Sequence, residues 1–354
     1  MYNFDIVEKF DLQLFAEPTH ANPFVPGTTP GTPTVNPVNR TSDPNWDPAV
    51  RPFYNENLLQ NSHEEEIFSQ FSLKGTIKGN ETVWSKFNKF RKATTPVQEA
   101  VIPAAENFGM TTIKAKTYQY GMYTVISDRL QKESLYDILY NCSEEMGYAM
   151  AETKNVLARN ILDESTYLVY AADKESGVHA EDASGLTEKH VLTGKMVHKM
   201  RTWFARNKVP KIDGKWVWIL HPDVAFDFTE DPAWVSANEY AGSRNIFNGE
   251  IGEMHGFRFI ESNECMIQTG AGAGGIDVYT SYALGADAFG EVNSEGEGAE
   301  MIIKGVEEIG GPLSQFATCG FKLTHGGTLI YPERCCRFLS ASTYLEPEQE
   351  KAED

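Results

Sequence analysis

The stretch over residues 134–170, SLYDILYNCSEEMGYAMAETKNVLARNILDESTYLVY, constrains the fold of this chain more than any other. Leu135, Ile138, Cys142, Met146, Ala149, Thr153, Val156, Leu157 and Ile161 recur at helical spacing. Asp137, Glu144, Glu145, Glu152, Arg159 and Glu164 fall mostly off that stripe. No proline interrupts it, and its one glycine, Gly147, costs only about 1 kcal/mol against alanine. Ser134, followed three residues on by Asp137, has the form of an N-terminal cap. A helix over 134–170 would reach roughly 50 Å, far beyond the mean helix. A single apolar stripe of that length needs an equally long surface to lie against. A long helix within an ordinary globular enzyme is the alternative, and the flanking sequence decides between them.

A chain of 354 residues holds one sizeable domain or a few modest ones. Its 41% hydrophobic and 12% aromatic content can build a substantial core, which excludes wholesale disorder. The net charge of −19 argues against a dedicated nucleic-acid binder, which carries a basic working face. The five cysteines are odd in number and have no repeated spacing. With no signal peptide read at the N-terminus, they are expected as reduced thiols of a cytosolically made protein. Adjacent Cys335 and Cys336 lack the second pair or nearby histidine that a metal site needs. No apolar run reaches membrane-spanning length, so no membrane association is expected.

Residues 1–16 include FDLQLF, a short amphipathic segment, and residues 18–52 hold nine of the 17 prolines. Such a stretch keeps no helix and has too little apolar surface for a core. It reads either as a disordered leader or as an extended arm that orders on a neighbouring molecule, anchored by Trp46, Phe53 and Tyr54. Residues 56–72 suggest a short helix.

Residues 74–120 are the second unusual segment. Strand-like pieces, TIKGNETVWSKF and TTIKAKTYQYGMYTVIS, flank a middle with Pro96, Pro103 and Gly109. Between Phe71 and Tyr120 there are eight Lys or Arg against three Glu. A basic ribbon on an acidic protein suits the acidic surface of another copy. Trp84, Lys86, Lys89, Arg91 and Lys92 are therefore the candidate intersubunit contacts. A solvated hairpin is the plain alternative. A nucleic-acid ribbon fits less well, because Trp84, Phe87 and Phe90 do not alternate cleanly with the charges.

Further on, 172–186 reads as a polar loop and 191–207 as an amphipathic helix with Met196, Met200, Trp203 and Phe204 inward. WVWIL (216–220) is a buried strand, 222–248 is helical and irregular, and 256–262 is another strand. Residues 299–305 and 316–331 read as strands, and the last ten residues as an acidic tail. Strands and helices alternate without βαβ regularity, which points to α+β.

Motifs of chemistry are scarce. The glycine-rich GAGAGGIDVY (270–279) lacks the Gly-Lys-Ser/Thr ending of a phosphate cradle and runs into a strand-like segment, so it reads as a loop. His221-Pro222-Asp223 matches the tripeptide of J-domains, but it follows a buried strand where that motif needs a basic helical hairpin. There is no Gly-x-Ser-x-Gly elbow, zinc-ligand spacing or His-Glu-x-x-His. No catalytic, cofactor-binding or metal-ligating residue is assigned, and no cofactor is expected.

The block over 216–261, WVWILHPDVAFDFTEDPAWVSANEYAGSRNIFNGEIGEMHGFRFIE, resembles the most distinctive block of the coliphage N-four type of major capsid proteins. That family has a strand ending in His-Pro-Asp, an Asp-Pro-x-Trp turn, an Asn-Gly-Glu stretch and a Gly-x-x-Phe strand. VYTSYALGADAFG (278–290) and GPLSQFATCGFKLTHGGTLIYPERCCRF (311–338) agree with it. YGMYTVISDRLQKESLYDIL resembles the family's approach to its long helix, and FDLQLFAE resembles leaders on structural proteins of phages of Firmicutes. The resemblance covers about residues 75–340.

The resemblance implies the Hong Kong 97-type shell fold of tailed-phage capsids and encapsulins. It implies an N-terminal arm (1–73), an extended loop (74–120), a peripheral domain (121–195) with its spine helix over 134–170, and an axial domain (196–310). Return strands of the peripheral domain (311–342) and an acidic tail (343–354) complete the division. The implied function is assembly into pentamers, hexamers and a whole shell around DNA, without sequence-specific binding. Scaffold, portal and decoration proteins are further candidate partners. The virion is the expected location, after synthesis in the host bacterial cytoplasm. Lysine–asparagine cross-linking, known in some relatives, is not carried over, since nothing here marks its residues. An encapsulin-like container and an unrecognised hydrolase are the alternatives.

Overall fold

The computed structural model describes residues 38–39, 66–77, 81–97, 99, 102–134, 137–235, 250–294, 299–306, 308 and 313–344. Apart from Val38 and Asn39, the expectations for residues 1–65, for 236–249 of the central block and for the tail beyond 344 lie outside those residues.

In chain order, β1 (Val38–Asn39), β2 (Leu73–Ile77), β3 (Glu81–Phe87) and β4 (Met110–Ser127) come first. Helices α1 (Asp128–Glu133) and α2 (Ile138–Asp163) follow, then β5 (Leu168–Tyr170) and α3 (Gly194–Arg206). Next are β6 (Trp216–Leu220), α4 (Pro222–Thr229), β7 (Glu250–Met254), β8 (Phe257–Glu261) and β9 (Ile267–Gln268). The last are β10 (Val278–Leu284), β11 (Phe289–Ser294), β12 (Ala299–Lys304), β13 (Phe316–Leu329) and β14 (Cys335–Ser340).

One sheet has the order β1-β4-β13-β11-β2, with β12 also on β13 and β3 also on β4. Thr, Tyr, Ile and Val crowd β4, residues that suit a pleated surface. Its second half pairs antiparallel with β13, from Ser127 opposite Phe316 to Thr117 opposite Gly326. Its first half pairs with β3, from Lys116 opposite Glu81 to Met110 opposite Phe87, and so carries a hairpin away from the sheet.

The second sheet has the order β5-β14-β10-β6-β8-β7, with β9 on β10. All five residues of β6 are buried because both faces are covered. Trp216, Trp218 and Leu220 join a core with α3 and α4, while Val217 and Ile219 face a core that holds the end of α2.

α2 ties the two sheets together. Met146 packs with Cys319, Phe321 and Leu323 of β13, and Ala158, Ile161 and Leu162 enter the second core beside Tyr282 and Leu284. Close approach needs Gly327, since a Cβ there would run into Ile161. The helix is shorter than the expected 134–170. Asp137, not Ser134, caps it, its Oδ1 accepting from the Tyr140 N–H at 3.1 Å. Ser134 instead ends α1, its N–H donating to the Leu130 carbonyl at 3.0 Å. At the other end Ser165 turns the chain, its hydroxyl donating to the Cys335 carbonyl at 2.9 Å, and Leu168–Tyr170 pairs parallel with β14. Leu, Val and Tyr fit either element, and strand pairing wins over helical continuation. Within the expected 56–72 helix, the described residues 66–72 hold only a 3-10 turn, Phe68–Phe71.

Candidate assembly surfaces

The β3–β4 hairpin has a bound root and an open tip. Burial alternates along β3, so Trp84 points into the subunit and forms a small core with Ala115 and Val292. Gly75 and Gly290 leave room for its indole; a Cβ on Gly290 would stand 2.9 Å from the ring. Lys86 lies over the Tyr331 ring at 4.1 Å and 3.2 Å from Glu333 Oε1. Burial pushes the Glu333 carboxyl up, but its own N–H, Lys86 and Arg334 outweigh that and hold it below the usual carboxylate range.

Beyond Phe87 the chain is exposed. Phe108 stacks with Phe87 at 4.9 Å and with Phe90 at 5.1 Å between ring centroids, yet each ring residue is 58% exposed. Val97 and Ile102 are more exposed still. Arg91 pairs with Glu106 across the loop. Lys89 and Lys92 are exposed and have no ion pair among the described residues. The five expected contact residues therefore divide: Trp84 and Lys86 hold the root, Arg91 is shared with Glu106, and Lys89 and Lys92, near Phe90 in the chain, are exposed with no ion pair among the described residues. Nothing in the sequence marks Phe108, because only the β3–β4 register brings it to Phe87 and Phe90.

A second cluster lies where residues 66–72 pack on α2. Asn155, buried in the middle of α2, accepts from the N–H groups of Ile67 at 3.0 Å and Phe68 at 2.9 Å. Phe68 is fully buried, edge-on to Tyr282 at 5.5 Å. The Ser69 and Ser72 hydroxyls donate to the buried Glu291 carboxylate at 3.0 and 2.9 Å, and Lys154 pairs with Glu66. Tyr282 in turn donates to Asp163 Oδ1 at 2.7 Å, and burial pushes both groups up. Asn155 was invisible as a functional position, since its partners lie nearly ninety residues upstream.

The remaining motifs have structural uses. His221 caps α4, its Nδ1 accepting from the Asp223 N–H at 3.2 Å, and burial pulls its pKa down against the pull of Asp223. On the same helix, buried Asp227 accepts from Thr343 N–H at 3.0 Å and from the Thr343 hydroxyl, which clamps the residues just beyond β14 to α4. Burial raises Cys142 and Cys335 to about 12, so both are protonated thiols near neutrality. Among the described residues no group of three or more His, Cys, Asp or Glu could hold a metal ion. Among them, too, no helix is long and apolar enough to cross a membrane.

A family profile described as "Phage capsid protein" matches residues 110–311, and no curated protein matches. Among solved structures, the capsid of Ralstonia phage GP4 is 13% identical with a TM-score of 0.66, over 88% of this chain and 100% of that one. The capsid of cyanophage P-SCSP1u is 14% identical with a TM-score of 0.64, over 83% and 93%. The SrpI encapsulin of Synechococcus elongatus PCC 7942 is 10% identical with a TM-score of 0.52, over 83% and 94%. Identities this low speak for the fold alone.

Proposed function

The chain belongs to the phage capsid protein family, and from that premise we propose that it is the subunit which assembles, as pentamers and hexamers, into the icosahedral shell of a tailed phage. It is a phage major capsid protein of the Hong Kong 97-type fold and a component of the virion. One observation carries the assembly reading: the hairpin tip keeps three stacked aromatic rings more than half exposed. Such a patch is unfavourable in water and suits burial in a partner's pocket, where aromatic anchors give most.

On this reading residues 74–120 are the extended loop. Trp84 and Lys86 stiffen its root, while Lys89, Arg91 and Lys92 with the rings meet a neighbouring subunit. Residues 121–195 with α2 are the peripheral domain, 196–310 the axial domain and 311–342 the return strands. The arm, 1–73, lies along adjacent subunits. Assembly is the activity and needs no catalytic group or cofactor. The acidic shell encloses double-stranded DNA without reading its sequence, and scaffold, portal and decoration proteins act during its building. The subunit is made in the host bacterial cytoplasm.

Electron microscopy of the expressed full chain tests the reading. Large angular shells are expected, and the absence of particles across protein and salt concentrations would overturn it. An encapsulin-like container is the second reading, favoured by the shared fold with an encapsulin; small uniform shells would decide for it.

A further inference from the structure

The hairpin is not the most basic part of this acidic chain. Residues 195–211 hold six Lys or Arg and no Asp or Glu. They span α3 and the turn after it. The apolar side of α3, Met196, Val197, Met200 and Phe204, is buried in the core with Trp216 and Phe257. Its other side is exposed, and Arg201, Arg206 and Lys208 stand there with no ion pair among the described residues. The His198 ring meets the His255 ring at 4.8 Å, extending this face on to the β7–β8 turn. Neighbouring cations are already engaged: Lys199 with His179, Lys211 over Trp216, and Lys215 with Glu253. Lys195, in the first turn of α3, is likewise exposed with no ion pair among the described residues, and Arg201, Arg206 and Lys208 form the unpaired group at the other end of the helix and the turn after it.

The same part of the chain carries an opposite patch. Residues 173–188 hold five Asp or Glu against one Lys. Glu175 is taken by Lys189, and Asp182 accepts from the Ser184 hydroxyl and the Gly185 N–H within its own loop. Glu181 and Glu188 are exposed and unpaired among the described residues. The loop is held in shape by the Ala172–His179 bridge and by the Ala273 N–H donating to the Leu186 carbonyl at 2.7 Å. A charged loop fixed in advance loses little entropy on docking.

We propose that the exposed face of α3 with the following turn, through Arg201, Arg206 and Lys208, docks the acidic loop 173–188 of a second copy of this chain. Two different patches on one subunit make a heterologous contact, which repeats head to tail and closes a ring when the rotation allows. Each exposed pair contributes little alone, and repetition around a closed ring multiplies it. The inference rests on the shell reading and names which elements meet within it. A polyanion such as DNA offers the same chemistry, but the acidic loop is present at every subunit in equal number.

The test uses full-length chains with exposed residues reversed: Arg201→Glu, Arg206→Glu and Lys208→Glu in one variant, Glu181→Lys and Glu188→Lys in another, and all five in a third. Melting followed by circular dichroism should match wild type in all three. Particle formation, read by light scattering and sedimentation at low ionic strength, should fall about tenfold or more in the first two and recover in the third. Wild-type assembly by the first variant overturns the inference and leaves the shell reading intact. Failure of the third to recover overturns the pairing. If reversal disturbs folding, alanine at Arg201, Arg206 and Lys208 must still lower assembly, or the proposal falls. If the first variant assembles normally but loses retention of a short DNA duplex, the face reads nucleic acid and the inference is wrong. Absence of particles from wild type would remove both readings together.

Discussion

Replacing Asn155 with alanine tests how residues 66–72 are held against α2. Its Oδ1 is the acceptor for two backbone donors, Ile67 N–H at 3.0 Å and Phe68 N–H at 2.9 Å. Asn155 is 1% exposed and Phe68 fully buried, so water cannot readily replace the lost acceptor at Phe68. A buried donor left unmade costs about 1–3 kcal/mol. Ile67 is only half-buried, so its N–H falls at the low end. The sum is about 2–4 kcal/mol, with the volume lost from Asn to Ala adding to it. Urea unfolding of dissociated subunits, followed by tryptophan fluorescence, should show the midpoint falling with little change in slope. Protease should also cut near residues 66–72 earlier than in wild type, because the 3-10 turn Phe68–Phe71 is what the lost acceptor holds down. A loss under about 0.5 kcal/mol with unchanged cleavage would refute the reasoning, since buried orphan donors cannot be that cheap.

Three further outcomes are expected. Changing Phe87, Phe90 and Phe108 to serine should leave subunit melting unchanged, because the rings pack on one another and not on the core, while shells fail to form in electron micrographs. Reversing Lys89, Arg91 and Lys92 to glutamate should likewise give a folded, soluble subunit that does not close shells, with a salt-sensitive defect; normal assembly at low ionic strength would separate the hairpin tip from the contact. Asp163→Asn addresses pH: burial raises Asp163 in the folded state, so wild-type stability should increase as pH falls through the window just above the ordinary carboxylate value. The asparagine variant, which keeps an acceptor for Tyr282, should show less of that increase in urea titrations at several pH values.

Elements that announce themselves by periodicity were legible in the sequence. The stripe of α2, the five-residue apolar run of β6 and the β-rich composition of β4 each predict the element found. Helix ends were not, because Ser134 and Asp137 are both good caps and only the geometry of α1 assigns them different work. The fold class and the capsid resemblance were legible from the 216–261 block. Side-chain roles were much less so. Trp84 and Lys86 read as outward contacts because their inward partners, Val292 and Glu333, lie more than two hundred residues away. The basic face of α3 is not legible in the sequence for another reason: periodicity marks the apolar side of an amphipathic helix, and an exposed charge acquires meaning only once its spatial neighbours are known.

Charge sets the terms on which copies of this chain can meet. With a net of −19, and with cations concentrated in the hairpin and on α3, the rest of the surface is more acidic than the mean. Two subunits approaching at random therefore repel over distances set by the Debye length, roughly 10 Å at 0.1 M salt. Cations brought to about 4 Å from a neighbour's carboxylates attract, and partly buried pairs are screened much less than the distant repulsion. Raising salt from very low values should then first speed assembly, by damping repulsion, and later slow it, as the contact pairs weaken. The rate, read by light scattering, should peak at an intermediate ionic strength. A steady rise with salt would mean that aromatic burial at the hairpin tip drives association alone. A steady fall would mean that the cations dominate from the outset, which a chain so acidic should not permit unless subunits first meet basic face to acidic loop.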